Sequence, residues 1–184
     1  MDRFFFVFGI SFVAGGIGHA WFNYFGIAGK SIAWFTSIYA VYFLEQAMIS
    51  LYFKADKIAL FKGVSKIKLW VTWLSLGAVL VFIDLKNDPQ IGILIPSIST
   101  AVGFVLCLGI LGKIYAKRIA KTFTYTWISV IVLIPSAIVQ GLKISFYPLM
   151  DRNDISHILL LIMLILYWKS IVGYHLKLIK HPNY

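Results

Sequence analysis

Apolar runs of about 20 residues recur along this chain, and short basic segments separate them. A run of this kind crosses the hydrocarbon core of a bilayer as an α-helix, because a helix satisfies its own backbone hydrogen bonds. We place six such helices at residues 4–25, 31–53, 67–83, 91–111, 123–142 and 155–172. The sequence therefore predicts an all-α, polytopic transmembrane helix bundle that forms a single domain over residues 1–184, with six spans and room for a seventh.

The composition leaves little material for anything besides the spans. Of the 184 residues, 60% are hydrophobic and 13% are charged. The net charge of +10 could suggest a nucleic-acid partner, but Lys and Arg lie between the apolar runs rather than on a soluble basic face. We therefore expect no nucleic-acid partner. The single cysteine, Cys107, lies inside an apolar run, which excludes a disulfide framework within one chain.

The basic residues predict how the bundle is oriented in the membrane. Short cytoplasmic loops carry an excess of Lys and Arg. Most of these residues lie between the predicted spans two and three or in the first turn of span three, between spans four and five, and after span six: Lys54, Lys57, Lys62, Lys66, Lys68, Lys113, Lys117, Arg118, Lys121, Lys177 and Lys180. These loops all map to one side, so both termini are predicted to be cytoplasmic.

Four ionisable residues fall at the predicted outer ends of the spans. His19 lies near the end of the first span, Asp84 closes the third, and Asp154 and His157 open the sixth. Asp154 and His157 are three residues apart and so share a helix face. Zn²⁺ accepts histidine nitrogen and carboxylate oxygen, and a catalytic zinc keeps one position for water. In this interpretation His19, Asp154 and His157 hold zinc, and Asp84 orients the water or relays its proton.

A structural interpretation of the same residues stays open. Aspartate before an apolar run is a preferred helix N-cap, which suits Asp154. The histidines would then hydrogen-bond to neighbouring helices. His19 fits this interpretation less well, because it follows Gly15, Gly16 and Gly18, small residues that let another helix approach and leave a polar side chain facing the bundle.

A second pair of ionisable residues lies deeper in the predicted bundle. Glu45 of the second span and Lys169 of the sixth are each about 20 Å from the outer end of their helix at 1.5 Å per residue. A lone charge in hydrocarbon costs several kcal/mol, so ionisable residues within spans usually pair or line a wet cavity. We predict a buried ion pair between Glu45 and Lys169, with a proton or ion pathway as the alternative.

Three segments of the chain carry a resemblance to known proteins. They are GGIGHAWF at 15–22, NDISH at 153–157 and YWK at 167–169. Together they resemble a family of small bacterial membrane proteins, which in turn is similar to the superfamily of alkaline ceramidases and progestin/adipoQ-type receptors. Members of that superfamily are seven-helix bundles. They hold zinc with an early histidine and a His-x-x-x-His pair at the start of the last helix, and the best-characterised members hydrolyse the amide bond of ceramide.

The resemblance can be carried onto this chain residue by residue. It places the early histidine at His19 and the second histidine of the pair at His157. The first histidine of the pair falls on Asn153, a poor zinc ligand, so either Asp154 takes its place or the site has lost its metal. Asp84 stands in for the superfamily's aspartate on depth alone.

The resemblance implies a zinc-dependent hydrolase that acts on a lipid amide or ester within a bacterial inner membrane. The membrane lipid itself would be the partner and substrate. A non-enzymatic bundle that binds or transports a lipid, a small molecule or an ion stays open as the alternative. In that case the outer His and Asp residues form a polar recognition cluster, and Glu45 with Lys169 acts as a switch or relay.

Overall fold

A computed structural model of the protein describes residues 1–52, 54–85, 89–142, 144 and 152–180. These residues form helices and turns, with no β-strand among them. The helices are α1 (Asp2–Ala20), α2 (Phe22–Ser50), α3 (Ala55–Phe82), α4 (Pro89–Gly103), α5 (Gly112–Arg118), α6 (Thr124–Gly141) and α7 (Arg152–Lys180). A π-helical segment, Phe104–Leu111, joins α4 to α5, and a 3₁₀ turn, Lys121–Phe123, precedes α6. The all-α prediction is confirmed.

Six helical segments in the described part of the chain are long and apolar enough to cross a membrane. They are Asp2–Ala20, Phe22–Ser50, Ala55–Phe82, Ile91–Arg118, Lys121–Gln140 and Asp154–Ile179. Each segment leaves large apolar side chains exposed along its length. Contiguous apolar surface of this extent suits contact with lipid rather than with water. The predicted number of spans is confirmed, and the protein has the architecture of an integral membrane protein.

Two helix boundaries differ from those expected. The third span was placed at 67–83, whereas α3 begins at Ala55, so most of the lysines assigned to a loop lie on a helix. The first two spans were placed at 4–25 and 31–53; α1 ends earlier, at Ala20, but the break in helical geometry falls at Gly26, inside the predicted gap between the two spans. Residue 53 itself lies outside the described residues. Gly26 makes this break feasible, because it interrupts the start of α2 with φ of 53°, a conformation that few other residues adopt.

The contacts of the chain divide it into two compact units, Met1–Phe104 and Val105–Tyr184, which we call unit 1 and unit 2. In unit 1, α2 packs against α1, α3 and α4. Its apolar core includes Trp34 and Ile38 of α2, and Leu69 and Leu76 of α3. Gly18 of α1 lies against the backbone of α2, because a Cβ at this position would be 2.8 Å from the Gly29 carbonyl oxygen. The prediction of a single domain stays a prediction.

Unit 2 is built on the packing of α6 against α7. Tyr115, Phe123 and Tyr167 are fully buried in it. Thr126 of α6 donates a hydrogen bond from its hydroxyl to the Ser170 hydroxyl of α7 at 2.6 Å. Such small polar side chains hold helices together in lipid by interhelical hydrogen bonds.

Candidate functional site

The four residues predicted to form a zinc site are exposed at helix ends. His19 lies in the last turn of α1, and Asp84 follows α3, both in unit 1. Asp154 and His157 lie in the first two turns of α7, in unit 2. Within the described residues, no group of three or more His, Cys, Asp or Glu side chains is placed to hold a metal ion. The zinc site therefore stays a prediction.

Glu45, near the end of α2, differs from the other acidic residues in its burial. The described part of the chain contains four other carboxylates, which are all exposed: Asp2, Asp56, Asp84 and Asp154. Glu45 is 5% exposed. It is about 8 Å from the C-terminal end of α2 at 1.5 Å per residue, and its neighbours Leu44 and Met48 are fully buried. A carboxylate in such surroundings requires partners that stabilise its charge.

Helix α3 supplies these partners. The Ser65 hydroxyl donates a hydrogen bond to Glu45 Oε2 at 2.6 Å. The Lys68 ammonium donates to Glu45 Oε1 and forms an ion pair with it. Ser65 and Lys68 are three residues apart and so share the face of α3 that meets α2. Both carboxylate oxygens of Glu45 are thereby satisfied.

Helix α4 completes the surroundings of the pair. Lys68 Nζ lies 3.4 Å from the Ser99 carbonyl oxygen, the outer limit of a hydrogen bond. Gly103 comes so close that a Cβ there would overlap Val41 and lie 3.0 Å from Glu45 Oε1. We call Glu45, Ser65, Lys68, Ser99 and Gly103 the Glu45 cluster. All five residues belong to unit 1.

The cation found beside Glu45 is not the lysine named from the sequence. Lys169 belongs to unit 2, where its Nζ lies 4.6 Å above the centre of the Tyr125 ring. Lys68 was overlooked because it was counted with the basic loop residues between spans two and three. One signal could have revealed it, since Ser65 and Lys68 have the same three-residue spacing that drew attention to Asp154 and His157.

The two members of the pair differ in their access to solvent or lipid headgroups. The Lys68 side chain is 27% exposed, whereas that of Glu45 is 7% exposed. Lysine can extend its flexible stem and carry its ammonium towards water, but a short buried carboxylate has no such freedom. The ion pair can therefore break by movement of the Lys68 side chain while Glu45 stays buried.

One polar atom of the cluster lacks a partner in the described part of the chain. Ser99 is 6% exposed, and its hydroxyl has no hydrogen-bond partner there. Most buried hydroxyls have a partner, because leaving one unsatisfied costs about 1–3 kcal/mol. The hydroxyl belongs to the same residue whose carbonyl oxygen approaches Lys68. Ser99 therefore contributes a carbonyl oxygen near the ion pair and has a buried hydroxyl without a partner among the described residues.

A family model matches residues 1–175, which is nearly the whole chain. The chain belongs to the family of unknown function DUF6962. No curated protein and no solved structure matches it. The DUF6962 match spans the Glu45 cluster, the three predicted zinc ligands and the predicted catalytic residue Asp84. It names no activity, so the resemblance to ceramidases and progestin/adipoQ-type receptors stays a prediction.

The Glu45 cluster of this DUF6962 protein contains groups that can bind a cation. The cluster offers a carboxylate, two hydroxyls and a backbone carbonyl, all of which are oxygen ligands. Hard cations and protons bind to such groups. The π-helical segment begins at Phe104, directly after Gly103, and π-helical irregularities often lie at functional sites.

Proposed function

We propose that this DUF6962 protein is a non-enzymatic membrane protein that binds and transports a small cation, and that Glu45 is its binding carboxylate. The observation that carries the proposal is the burial of this one carboxylate inside an apolar helix. An ionisable residue within a span is costly to keep, which makes a functional role the default hypothesis. A carboxylate of this kind can bind and release either a proton or a metal cation.

The position of the cluster along α3 supports access from one side of the membrane. Lys68 is the last basic residue before an apolar segment, 69–83, that contains no charged residue. The preceding turns of α3 carry the exposed Lys57 and Lys66. The Glu45 cluster therefore lies where the helix passes from its water-compatible end into its lipid-compatible part. In the predicted orientation this end faces the cytoplasm.

The experiment is a flux measurement on protein reconstituted into liposomes that contain a pH-sensitive dye. A pH gradient is imposed with Na⁺, K⁺ or choline as the outer cation, and its dissipation is followed over time. We expect the wild-type protein to dissipate the gradient faster than empty liposomes, and Glu45→Gln to abolish this flux. Asp56→Asn, at an exposed carboxylate at the start of α3, is the matched control and should keep it.

The outcomes separate a transport site from a structural ion pair. Glu45→Gln must first be shown to be monodisperse and helical, so that loss of flux is not loss of fold. Wild-type flux in this variant, or no flux above empty liposomes in the wild type with any of the three cations, would overturn the proposal.

A second candidate function is the zinc-dependent hydrolase of a lipid amide or ester, with His19, Asp154 and His157 as ligands. The observation that favours it is the placement of Asp154 and His157 one turn apart, exposed, at the start of α7. A carboxylate and an imidazole at this spacing can share a metal ion. We propose the bacterial inner membrane as the location in either case.

A further inference from the structure

The Lys68 ammonium occupies a position that suits an alkali cation. We infer that Na⁺ or K⁺ binds among the oxygens of Glu45, Ser65 and Ser99 when Lys68 moves away, so that the lysine is a built-in competitor of the ion. The inference rests on the proposed function and specifies its substrate class. It concerns residues of unit 1 alone.

The ligands around the ammonium are the first reason. Lys68 Nζ donates to Glu45 Oε1 and lies 3.4 Å from the Ser99 carbonyl oxygen. Carbonyl and carboxylate oxygens are the groups that replace the hydration shell of an alkali ion in selective protein sites. An ammonium is a compact single positive charge that seeks the same oxygens. A site that holds one of these cations therefore has the charge and the ligand type for the other.

The Ser99 hydroxyl is the second, independent reason. It is buried and has no hydrogen-bond partner among the described residues, although Lys68 lies close to the carbonyl oxygen of the same serine. A lysine ammonium has three N–H groups, so it can donate hydrogen bonds to only a few acceptor oxygens at once. A metal ion coordinates several oxygens that surround it, including hydroxyl and carbonyl oxygens. The unused hydroxyl is explained if Ser99 supplies two ligands, its carbonyl and its Oγ, to an ion.

The exposure of Lys68 makes the exchange feasible. More than a quarter of its side chain is accessible, 27% against 7% for Glu45. The ammonium can therefore leave for the lysine-rich end of α3 while the carboxylate remains. Because the net charge of the site is then restored by the incoming ion, the exchange does not leave Glu45 as an isolated buried charge.

Gly103 lets α4 come close to the carboxylate of Glu45 and to Val41. A Cβ at this position would lie 3.0 Å from Glu45 Oε1 and 3.6 Å from Lys68 Nζ. A methyl group there would cover the oxygen that both the ammonium and the ion require. Any larger residue at this position would overlap Val41 and crowd the carboxylate, so glycine is required for this approach.

The test is ion binding by the full-length Lys68→Ala variant, measured as the midpoint of thermal unfolding in detergent. NaCl or KCl replaces choline chloride at constant ionic strength. We expect a rise of about 3–6 °C at an ion concentration ten times the dissociation constant, and a continued rise with the logarithm of the ion concentration above it. The wild type should need at least about tenfold more ion for the same rise, because its own ammonium competes.

Two further variants make the test specific. Lys68→Arg keeps a competing cation at the site and should, like the wild type, need at least about tenfold more alkali ion than Lys68→Ala for the same rise. Ser99→Ala in the Lys68→Ala background should weaken ion binding by about tenfold or more, if the hydroxyl is a ligand. Lys68→Gln, which keeps the length of the side chain without its charge, replaces Lys68→Ala if that variant does not fold.

The results distinguish failure of the inference from failure of the proposed function. If neither Lys68→Ala nor Lys68→Gln unfolds at a higher temperature in Na⁺ or K⁺ than in choline, the inference is overturned. If the wild type nevertheless carries Glu45-dependent proton flux in choline, the proposed function stands with the proton as its ion. If Na⁺ or K⁺ raises the unfolding midpoint of Lys68→Ala but the wild type gives no flux in liposomes, the ion site is supported and transport is overturned.

Discussion

Removing either member of the Glu45–Lys68 pair should destabilise the protein, but by unequal amounts. Lys68→Met leaves a carboxylate with 7% exposure whose remaining donor is the Ser65 hydroxyl. Stranding one charge of a buried pair costs about 3–5 kcal/mol. Glu45→Gln leaves an ammonium that is 27% exposed and can turn towards water. The amide oxygen can still accept from Ser65, so we expect a loss of about 1–2 kcal/mol.

The double variant Glu45→Gln/Lys68→Met measures the coupling between the two side chains. It buries no charge, so its cost should stay near that of Glu45→Gln, at about 1–2 kcal/mol. The sum of the two single losses is about 4–7 kcal/mol by the same figures. The double change should therefore fall short of additivity by at least about 2 kcal/mol, as expected of groups in direct contact.

The assay is reversible unfolding by SDS titration in mixed micelles, followed by circular dichroism and carried out in choline buffer so that no alkali ion can replace Lys68. Lys66→Met, at an exposed lysine two residues away, is the control and should change the free energy of unfolding by no more than about 0.5 kcal/mol. Equal losses in the two single variants would refute the role assigned to burial. Additive losses would refute the coupling.

Three further predictions concern other parts of the molecule. Gly18→Ala puts a methyl group 2.8 Å from a backbone carbonyl of α2 and should cost about 1–3 kcal/mol in the same assay, whereas Gly16→Ala, which meets nothing within 4 Å, should be neutral or stabilising. Equal effects would contradict the close approach. Elemental analysis should find about one zinc per wild-type chain and none in His157→Ala if the hydrolase proposal holds; a zinc-free wild type, even after zinc is added back, would count against it. A cysteine at Lys117, in a variant without the natural cysteine, should react with an impermeant maleimide only in permeabilised spheroplasts, and labelling of intact ones would reverse the predicted orientation.

The spans could be predicted because lipid imposes a strong rule on sequence. Every backbone polar group in hydrocarbon must be satisfied within the helix, so each crossing needs its own long apolar run. Hydropathy says less about where a helix continues beyond the membrane. The part of α3 from Ala55 to Lys66 is lysine-rich, and lysine is a good helix former with a stem that tolerates apolar surroundings. The helix therefore continues where the apolar pattern stops.

The end of α1 at Ala20 could not be located from hydropathy for the opposite reason. The segment around Trp21 is apolar and aromatic on both sides of the turn, so no polar break marks it. The break in helical geometry that follows is allowed by the backbone of Gly26, which takes up a positive φ. Glycine is also frequent inside membrane helices. Its presence alone therefore could not distinguish a turn from a packing site such as Gly18.

The partner of Glu45 shows where sequence reasoning about a buried charge ends. Burial of a carboxylate requires a partner, and this requirement follows from the cost of desolvation alone. The identity of the partner depends on which helices pack together and in what register. Helices α2 and α3 are joined by a short connection, so they pack as neighbours, and Lys68 faces Glu45 although it is close in sequence to a basic loop-like segment. A lysine next to an apolar run is thus as strong a candidate partner for a buried carboxylate as a lysine within the run. Its stem can reach inwards, and its ammonium can return to water. In the proposed site, this freedom allows the Lys68 ammonium to compete with an alkali ion for the carboxylate of Glu45.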